Sequence, residues 1–200
     1  MHFMSESAIS LREQKRWDTS HRITVCAQAL TVAHGLDGFT MEELAEAADV
    51  SRRTLFNYFP SKTDAVLGEA PEIPDADVDA FRSGGPHGNL IDDLAELARI
   101  ALSVKQPDRE SVERGRHILA TEPRLLAAAH QRFEAITTEF TDLVLEREGA
   151  EFSASRARLL LRIVLALLEV ALDGLGADDG DRTLVDLFEE QLRDARELFA

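Results

Sequence analysis

The segment from residue 40 to residue 62 constrains the fold of this chain more than any other part of the sequence. It contains two helix start signals eleven residues apart, at Thr40 and Ser51. Thr40 is followed three residues later by Glu43, which makes a capping box, and Ser51 is a typical N-cap residue. The sequence therefore predicts two short helices joined by a tight corner, which is the arrangement of a helix-turn-helix.

The second of these helices has an apolar side and a polar side. Leu55 and Phe59 are four residues apart, so they share a face and are predicted to point inward together with Val50 in the corner. Pro60 ends the helix, because proline lacks the backbone N–H that a further turn requires. The residues left for the outer surface are Arg52, Arg53, Thr54, Phe56, Asn57 and Tyr58. In a helix-turn-helix, this second helix enters the major groove of DNA.

The same residues resemble the signature of a known family. The pattern Thr40-x-Glu-Glu-Leu-Ala-x-x-Ala-x-Val-Ser-x-x-Thr-Leu-Phe-x-Tyr-Phe-x-x-Lys62 resembles the DNA-binding signature of the TetR family of bacterial transcriptional regulators. Upstream residues from Arg22 to Phe39 match that family's first helix and its turn. The resemblance covers residues 20–67, and beyond residue 70 it concerns only the helical architecture and the length of the chain.

The resemblance implies an all-α fold of about nine helices. A three-helix helix-turn-helix DNA-binding domain of the homeodomain-like type is expected over residues 19–67, after a flexible basic arm at residues 1–18. Residues 68–200 are expected to form a helical ligand-binding and dimerisation domain. The fourth helix departs from the family pattern, because Pro71 and Pro74 predict either a short, kinked helix or a new helix start near residue 74.

The residue types on the outer face of the second helix suit DNA recognition. Arg52 and Arg53 begin that helix, where an arginine can bond bidentately to guanine or hold a phosphate. Asn57 can read adenine or bind the backbone, and the Tyr58 hydroxyl suits a phosphate. Lys62 and the N–H groups that start its helix form a predicted phosphate site. The full predicted DNA-binding set is Thr40, Ser51, Arg52, Arg53, Thr54, Phe56, Asn57, Tyr58 and Lys62.

The net charge of −15 is unusual for a DNA-binding chain, but it is unevenly distributed. Residues 1–62 hold seven basic and eight acidic groups, whereas residues 63–200 hold 15 basic and 29 acidic groups. An acidic body repels DNA except where a basic face points toward it, so this distribution would help to orient docking. The basic arm, with Lys15 and Arg16, either contacts the DNA or is a solvated tail.

Residues 154–175 are apolar on nearly all sides of the predicted helix. A membrane span is the first alternative, but charged residues from Arg156 to Asp173 interrupt the apolar run. We therefore expect this helix to be covered by its own chain on one side and by a second copy on the other. Together with the last helix, at residues 181–199, it predicts a homodimer built on a four-helix bundle. Two recognition helices related by a dyad would read a palindromic operator.

The resemblance further implies that the helical body binds a small-molecule effector, for which a lipophilic or aromatic compound is the default expectation. Such an effector releases DNA only if it binds the DNA-incompetent state more tightly. The candidate pocket residues are His117, His130, Phe133, Arg162 and Glu169. The polar members of this set are equally well explained as satisfied core groups or as interface salt-bridge partners.

The sequence does not support an enzyme, a metal site or a cofactor. It has no Gly-rich phosphate loop, no Gly-x-Ser-x-Gly elbow and no His-Glu-x-x-His motif. The six histidines are scattered without metal-ligand spacing. The single cysteine, Cys26, is predicted to be a small buried hydrophobe. A reduced, cytoplasmic protein without a signal peptide or membrane anchor is therefore expected.

Two functions of different classes remain open. The first is a ligand-responsive DNA-binding transcriptional regulator, a repressor in preference to an activator. The alternative is a helical dimeric protein-interaction module without specific DNA binding.

Overall fold

A computed structural model describes residues 11–70, 72–104, 109–177 and 182–199 of the chain. Every regular element in these ranges is an α-helix. The ten helices there are α1 (Leu11–His34), α2 (Met41–Ala47), α3 (Arg52–Tyr58), α4 (Lys62–Leu67), α5 (Asp75–Arg82), α6 (Leu90–Val104), α7 (Arg109–Thr121), α8 (Pro123–Glu148), α9 (Ala154–Ala177) and α10 (Leu184–Phe199). The predicted all-α fold class is confirmed.

The helix beyond the nine expected is α5, which follows the short helix α4. Helix α4 ends where Gly68 adopts a φ of 73° and donates its N–H to the Asp64 carbonyl at 2.9 Å. Glycine reaches this left-handed conformation readily because it has no Cβ. Helix α5 begins directly after Pro74, so the chain has both a short fourth helix and a new start. Pro71 lies outside the described residues.

Helix α1 begins at Leu11, so residues 11–18, which the sequence assigned to the arm, are helical. Within this stretch the Trp17 ring stacks on His21 one turn later, with ring centroids 4.9 Å apart. Residues 1–10 lie outside the described part of the chain. The domain boundaries at residues 18 and 67 stay predictions.

The chain divides into two compact units. The first contains the chain up to Glu69 together with Arg114–Leu126. The second contains Ala70–Glu113 together with the chain from Ala127 onward. The end of α7 and the first residues of α8 therefore belong to the unit that holds α1 to α4.

The first unit has one apolar core, to which all of its helices contribute. Leu55 of α3 and Phe59, the residue that follows α3, are buried in this core and Val50 packs against it, as the sequence predicted. Ile118 of α7 and Leu125 of α8 are buried in the same core, which no local sequence pattern indicated. The core that supports the helix-turn-helix thus includes side chains from a distant part of the chain.

Cys26 lies at the edge of this core and is half-buried. Its thiol donates a weak hydrogen bond to the Ala47 carbonyl, with a sulfur–oxygen distance of 3.4 Å. Burial raises the pKa of the Cys26 thiol, and the charge of Arg22 opposes this shift only in part. A neutral thiol that packs as a small hydrophobe follows.

The second unit contains two groups of buried apolar side chains. In one group, α10 packs Leu184, Leu187, Phe188 and Leu192 against α9 and α6. The other group is built around the fully buried Phe81 of α5, with side chains from α6, α8 and α9. The apolar stripe of α10 is thus largely occupied within its own chain.

An ion pair is buried in the second unit. Arg147 Nη2 on α8 lies 2.5 Å from Asp93 Oδ2 on α6, and their side chains are 5% and 0% exposed. The His87 backbone N–H donates to Asp93 Oδ1 at 2.6 Å, and Arg147 Nη1 donates to the Phe81 carbonyl at 3.3 Å. Burial acts to raise the pKa of Asp93, but the bonds from His87 and Arg147 outweigh it and lower that pKa. The Asp93 carboxylate therefore stays ionised beside the Arg147 guanidinium although both side chains are buried.

Helix α9 has two apolar faces. Ala157, Leu161 and Ala171 are buried against their own chain. Leu159 and Val170 lie on the outer face and are 61% and 48% exposed. No helix in the described ranges is both long enough and apolar enough to cross a membrane.

Candidate nucleic-acid interface

The helix-turn-helix begins with the capping box that the sequence predicted. The Glu43 carboxylate accepts from the Thr40 backbone N–H at 2.7 Å and from its hydroxyl at 2.9 Å. The Thr40 hydroxyl in turn accepts from the Glu43 N–H at 3.2 Å. The bonds from Thr40 lower the pKa of Glu43. Capping therefore accounts for the presence of Thr40, which is also exposed at the surface.

The corner between α2 and α3 is a Schellman motif. The Val50 N–H donates to the Ala45 carbonyl at 3.0 Å, and the Asp49 N–H donates to the Glu46 carbonyl at 3.1 Å. Asp49 has a φ of 50°, a left-handed conformation that aspartate tolerates better than most residues. This tight reversal sets the direction in which α3 leaves the corner.

Helix α3 is capped by Ser51 and presents the predicted recognition face. The Ser51 hydroxyl accepts from the Thr54 N–H at 3.0 Å. With Leu55 buried on the opposite side, the exposed members of the face are Arg52, Arg53, Phe56 and Asn57. Thr54 and Tyr58 are half-buried, and Tyr58 packs in part against the core. The structure therefore brings eight of the nine predicted DNA-binding residues onto the capped α2–α3 segment, and Lys62 begins α4.

Arg52 is held by two neighbours on the protein surface. Its Nη1 lies 2.8 Å from Glu42 Oε1 on α2, and both side chains are more than half exposed. Its guanidinium carbon lies 5.6 Å from the centroid of the Phe56 ring, within cation–π range. Sequence reasoning missed Glu42, because nothing in the local pattern shows that a residue of α2 reaches the start of α3.

Lys62 has a different environment from the one predicted for a phosphate contact. Its ammonium donates to the Leu36 carbonyl at 2.6 Å and to the Phe39 carbonyl at 2.7 Å. It also lies 5.0 Å from the centroid of the Phe39 ring. Lys62 therefore links the turn between α1 and α2 to the start of α4 by hydrogen bonds, and its contact with DNA stays a prediction.

The turn after α1 is also tied to the α7–α8 segment of the same unit. Arg124 Nη2 lies 2.5 Å from Asp37 Oδ2, and Glu122 Oε1 accepts from the Leu36 N–H at 3.3 Å. The hydrogen bond and charge of Arg124 lower the pKa of Asp37. These contacts join residues more than 80 positions apart, so no sequence motif signalled them.

Four of the five candidate ligand-binding side chains lie in the second unit and one lies in the first. His130, Phe133, Arg162 and Glu169 are exposed in the second unit. Arg162 pairs with Glu134 at 3.2 Å on the surface. His117 is also exposed, but it belongs to the first unit. Their assignment to an effector pocket stays a prediction.

The described residues contain no group of three or more His, Cys, Asp or Glu side chains placed to hold a metal ion. The polar groups of the candidate site are instead arginine, asparagine and hydroxyl donors on one helix face. Such donors match phosphate oxygens and the acceptor edges of base pairs in the major groove. The arrangement therefore suits nucleic-acid binding.

The capped α2–corner–α3 unit, with arginines at the exposed start of α3, defines a helix-turn-helix DNA-binding protein. Comparison with known proteins agrees, since residues 23–67 match the family model of bacterial regulatory proteins of the tetR family. Over this segment the chain is therefore similar to the TetR family of bacterial regulatory proteins.

Individual relatives extend the similarity beyond this segment. The chain is 28% identical to the HTH-type transcriptional regulator TcmR of Streptomyces glaucescens, over 95% of this chain and 88% of that protein. It is 38% identical over 56 residues to MftR of Mycobacterium tuberculosis, a candidate mycofactocin biosynthesis transcriptional regulator, covering 28% of each chain. A crystal structure of a candidate TetR-family regulator from Mesorhizobium loti has a TM-score of 0.53 at 20% identity, covering 91% of this chain and 95% of that one. That last similarity concerns the fold alone.

Proposed function

We propose that this protein is a ligand-responsive transcriptional repressor that binds a palindromic operator as a homodimer in the cytoplasm. The observation that carries the proposal is the exposed start of α3, where Arg52 and Arg53 stand on a capped and buried scaffold. The similarity to TcmR along almost the whole chain supports a transcriptional regulator with a helix-turn-helix. A small-molecule effector would release the DNA by binding the DNA-incompetent state more tightly.

On the DNA, the two arginines would have the leading roles. Arg53 makes no ion pair within the described residues, so its guanidinium is available to a base or a phosphate. Arg52 is available if its surface pair with Glu42 rearranges or is shared with DNA. Asn57 lies on the exposed side of α3, one turn after Arg53, where an amide can bond to a base edge.

The proposed homodimer rests on the outer face of α9. Leu159, Ile163 and Val170 are exposed there in the single chain and lie at helical spacing. Because the inner face of α9 is buried by its own chain, covering the outer face requires a second molecule. The contribution of α10 is proposed to be smaller, since Leu184, Leu187 and Leu192 face inward, although Leu198 is exposed.

Selecting bound fragments from a random pool of DNA duplexes, followed by titration of the best site at several salt concentrations, tests the proposed function. We expect sequence-dependent binding that weakens steeply as salt is raised. The double variant Arg52→Ala/Arg53→Ala should lose roughly 10–100-fold in affinity for each arginine, because a bidentate contact to a base is worth about 1–3 kcal/mol.

The matched control is Arg193→Ala/Arg196→Ala on α10, which removes the same charge outside the helix-turn-helix. It should bind the selected site within a few-fold of the wild type. If the wild type showed no preference for any sequence, the protein-interaction alternative would replace the proposed function. If it bound selectively and the arginine variant bound equally well, the recognition face would lie elsewhere.

Replacing Ile163 by glutamate is expected to convert the dimer to a monomer. The substitution would place two carboxylates in the symmetric apolar interface, and burying unpaired charges is strongly unfavourable. Sedimentation equilibrium over a range of protein concentrations measures the change. Val32→Glu makes the same kind of change at a half-exposed side chain of α1 and should leave the dimer intact. A dimer that survives Ile163→Glu but not Leu198→Glu would move the interface to α10.

A further inference from the structure

The start of α3 carries two neighbouring arginines in different environments. Arg53 has no ion-pair partner among the described residues, whereas Arg52 pairs with Glu42 at 2.8 Å. Glu42 is not part of the capping box, since Glu43 performs that task. The carboxylate of Glu42, in the first turn of α2, thus also pairs with the first residue of α3.

A carboxylate beside the recognition helix has two physical effects. First, it repels the phosphate backbone and so weakens binding to DNA of any sequence. Second, it fixes a long side chain that would otherwise lose rotamer entropy on binding. The 2.8 Å contact joins Nη1 of Arg52 to Glu42 Oε1, and Nε and Nη2 form the other bidentate edge of the guanidinium.

Phe56 completes the arrangement. Its ring is 42% exposed, and the Arg52 guanidinium lies over it with 5.6 Å between the guanidinium carbon and the ring centroid. A guanidinium that lies over an aromatic ring and pairs with a carboxylate samples fewer orientations than a free one. Its remaining edge is then held ready for a planar, bidentate acceptor such as guanine O6 and N7.

We propose that Glu42 is a specificity-determining residue, which with Phe56 orients Arg52 for a base edge and discourages its use on phosphate. This inference rests on the proposed function, because it concerns how the same recognition helix discriminates among DNA sequences. On this proposal Arg52 contacts the base, and Glu42 contributes to the sequence preference by orienting Arg52.

The test compares three variants on the selected duplex and on a scrambled duplex of equal length, at several salt concentrations. Glu42→Gln removes the charge and weakens the contact, while Glu42→Asp keeps the charge but shortens the reach by one methylene. Glu46→Gln removes a charge from an exposed residue one turn further along α2, with no ion pair among the described residues. The measured quantity is the ratio of the two dissociation constants.

We expect Glu42→Gln and Glu46→Gln both to bind scrambled DNA more tightly than the wild type. Only the two Glu42 variants should reduce the specificity ratio, by about five- to tenfold, since mispositioning one bidentate contact forfeits part of its discrimination. In an Arg52→Ala background, Glu42→Gln should leave the ratio unchanged, because the positioned group is gone. Thermal unfolding of each variant shows whether the fold is retained.

Equal ratios for Glu42→Gln, Glu46→Gln and the wild type would overturn the inference while leaving the proposed function intact. A ratio reduced by Glu42→Gln but not by Glu42→Asp would assign the effect to charge alone and also overturn it. A wild-type ratio near one would instead overturn the proposed function, and the inference would fall with it.

Discussion

Replacing Arg147 by methionine is expected to lower the free energy of unfolding by about 3–5 kcal/mol, because it leaves a buried carboxylate without its counter-ion. Asp93 is fully buried, and Arg147 supplies its charged partner at 2.5 Å. The variant would also lose the bond to the Phe81 carbonyl and the contact with the Phe81 ring. Urea unfolding at neutral pH, followed by circular dichroism, measures the loss.

The control for this prediction is Arg82→Met in the same unit. Arg82 pairs with Asp79 and Glu146, but its side chain is 49% exposed and the side chains of both partners are more exposed still. Exposed pairs contribute about 0–1 kcal/mol, so this variant should be nearly as stable as the wild type. The double variant Asp93→Asn/Arg147→Met should recover part of the loss, because neither charge remains buried. Equal losses of unfolding free energy in Arg147→Met and Arg82→Met would show that the buried pair stabilises the fold no more than an exposed pair does.

The pH dependence of stability should differ between the wild type and Arg147→Met. In the wild type the folded-state pKa of Asp93 is lowered, so the stabilisation is complete above its unfolded-state pKa and is lost as pH falls through the folded-state pKa. Without Arg147, burial is opposed mainly by the His87 N–H, so the folded-state pKa should rise above its wild-type value and less stabilisation should be gained as pH rises past about 4, the ordinary aspartate value. The difference in unfolding free energy between the two proteins should therefore grow between acidic and neutral pH.

Replacing Gly38 by alanine is expected to destabilise the helix-turn-helix unit by about 3 kcal/mol, the upper end of the usual cost of overpacking. A Cβ at this position would lie 2.1 Å from the His34 carbonyl oxygen and 2.7 Å from the His34 Cβ. Both atoms belong to the last turn of α1 and cannot move aside alone. Gly38 also precedes Phe39 in the core and the Thr40 cap, so relief of the clash would displace the start of α2.

Gly115→Ala, in the same unit, is expected to stabilise the protein rather than destabilise it. Gly115 lies inside α7, and a Cβ there would meet nothing within 4 Å. Alanine should therefore stabilise the helix by about 0.5–1 kcal/mol through its higher helix propensity. Thermal unfolding of both variants, with DNA binding as a second readout, distinguishes the two cases. A Gly38→Ala protein that unfolded at the wild-type temperature would contradict the steric argument.

The helix-turn-helix could be predicted from the sequence because its signals are local. The capping box at Thr40, the cap at Ser51 and the inward pair Leu55 and Phe59 each act within one or two turns. Short-range hydrogen bonds and helical spacing decide such features almost independently of the rest of the chain. The exposed position of the arginines followed from the same spacing.

The partners of these residues could not be predicted in the same way. Glu42 reaches Arg52 only because the left-handed corner at Asp49 sets the direction of α3 relative to α2. Lys62 donates to two carbonyls of the turn after α1, although its position in the motif predicted a phosphate contact. Which donor meets which acceptor depends on how the helices pack, and side-chain spacing along one helix does not specify packing.

The sequence by itself determined the all-α class, the two capped helices and the exposed basic start of the recognition helix. Their causes are hydrogen bonds and periodicities that span fewer than ten residues. Only the tertiary structure decided that Ile118 and Leu125 complete the core of the DNA-binding unit and that Asp93 meets Arg147 inside the second unit. Such contacts join residues far apart in the chain, and they form because many weak apolar interactions together fix where each helix lies.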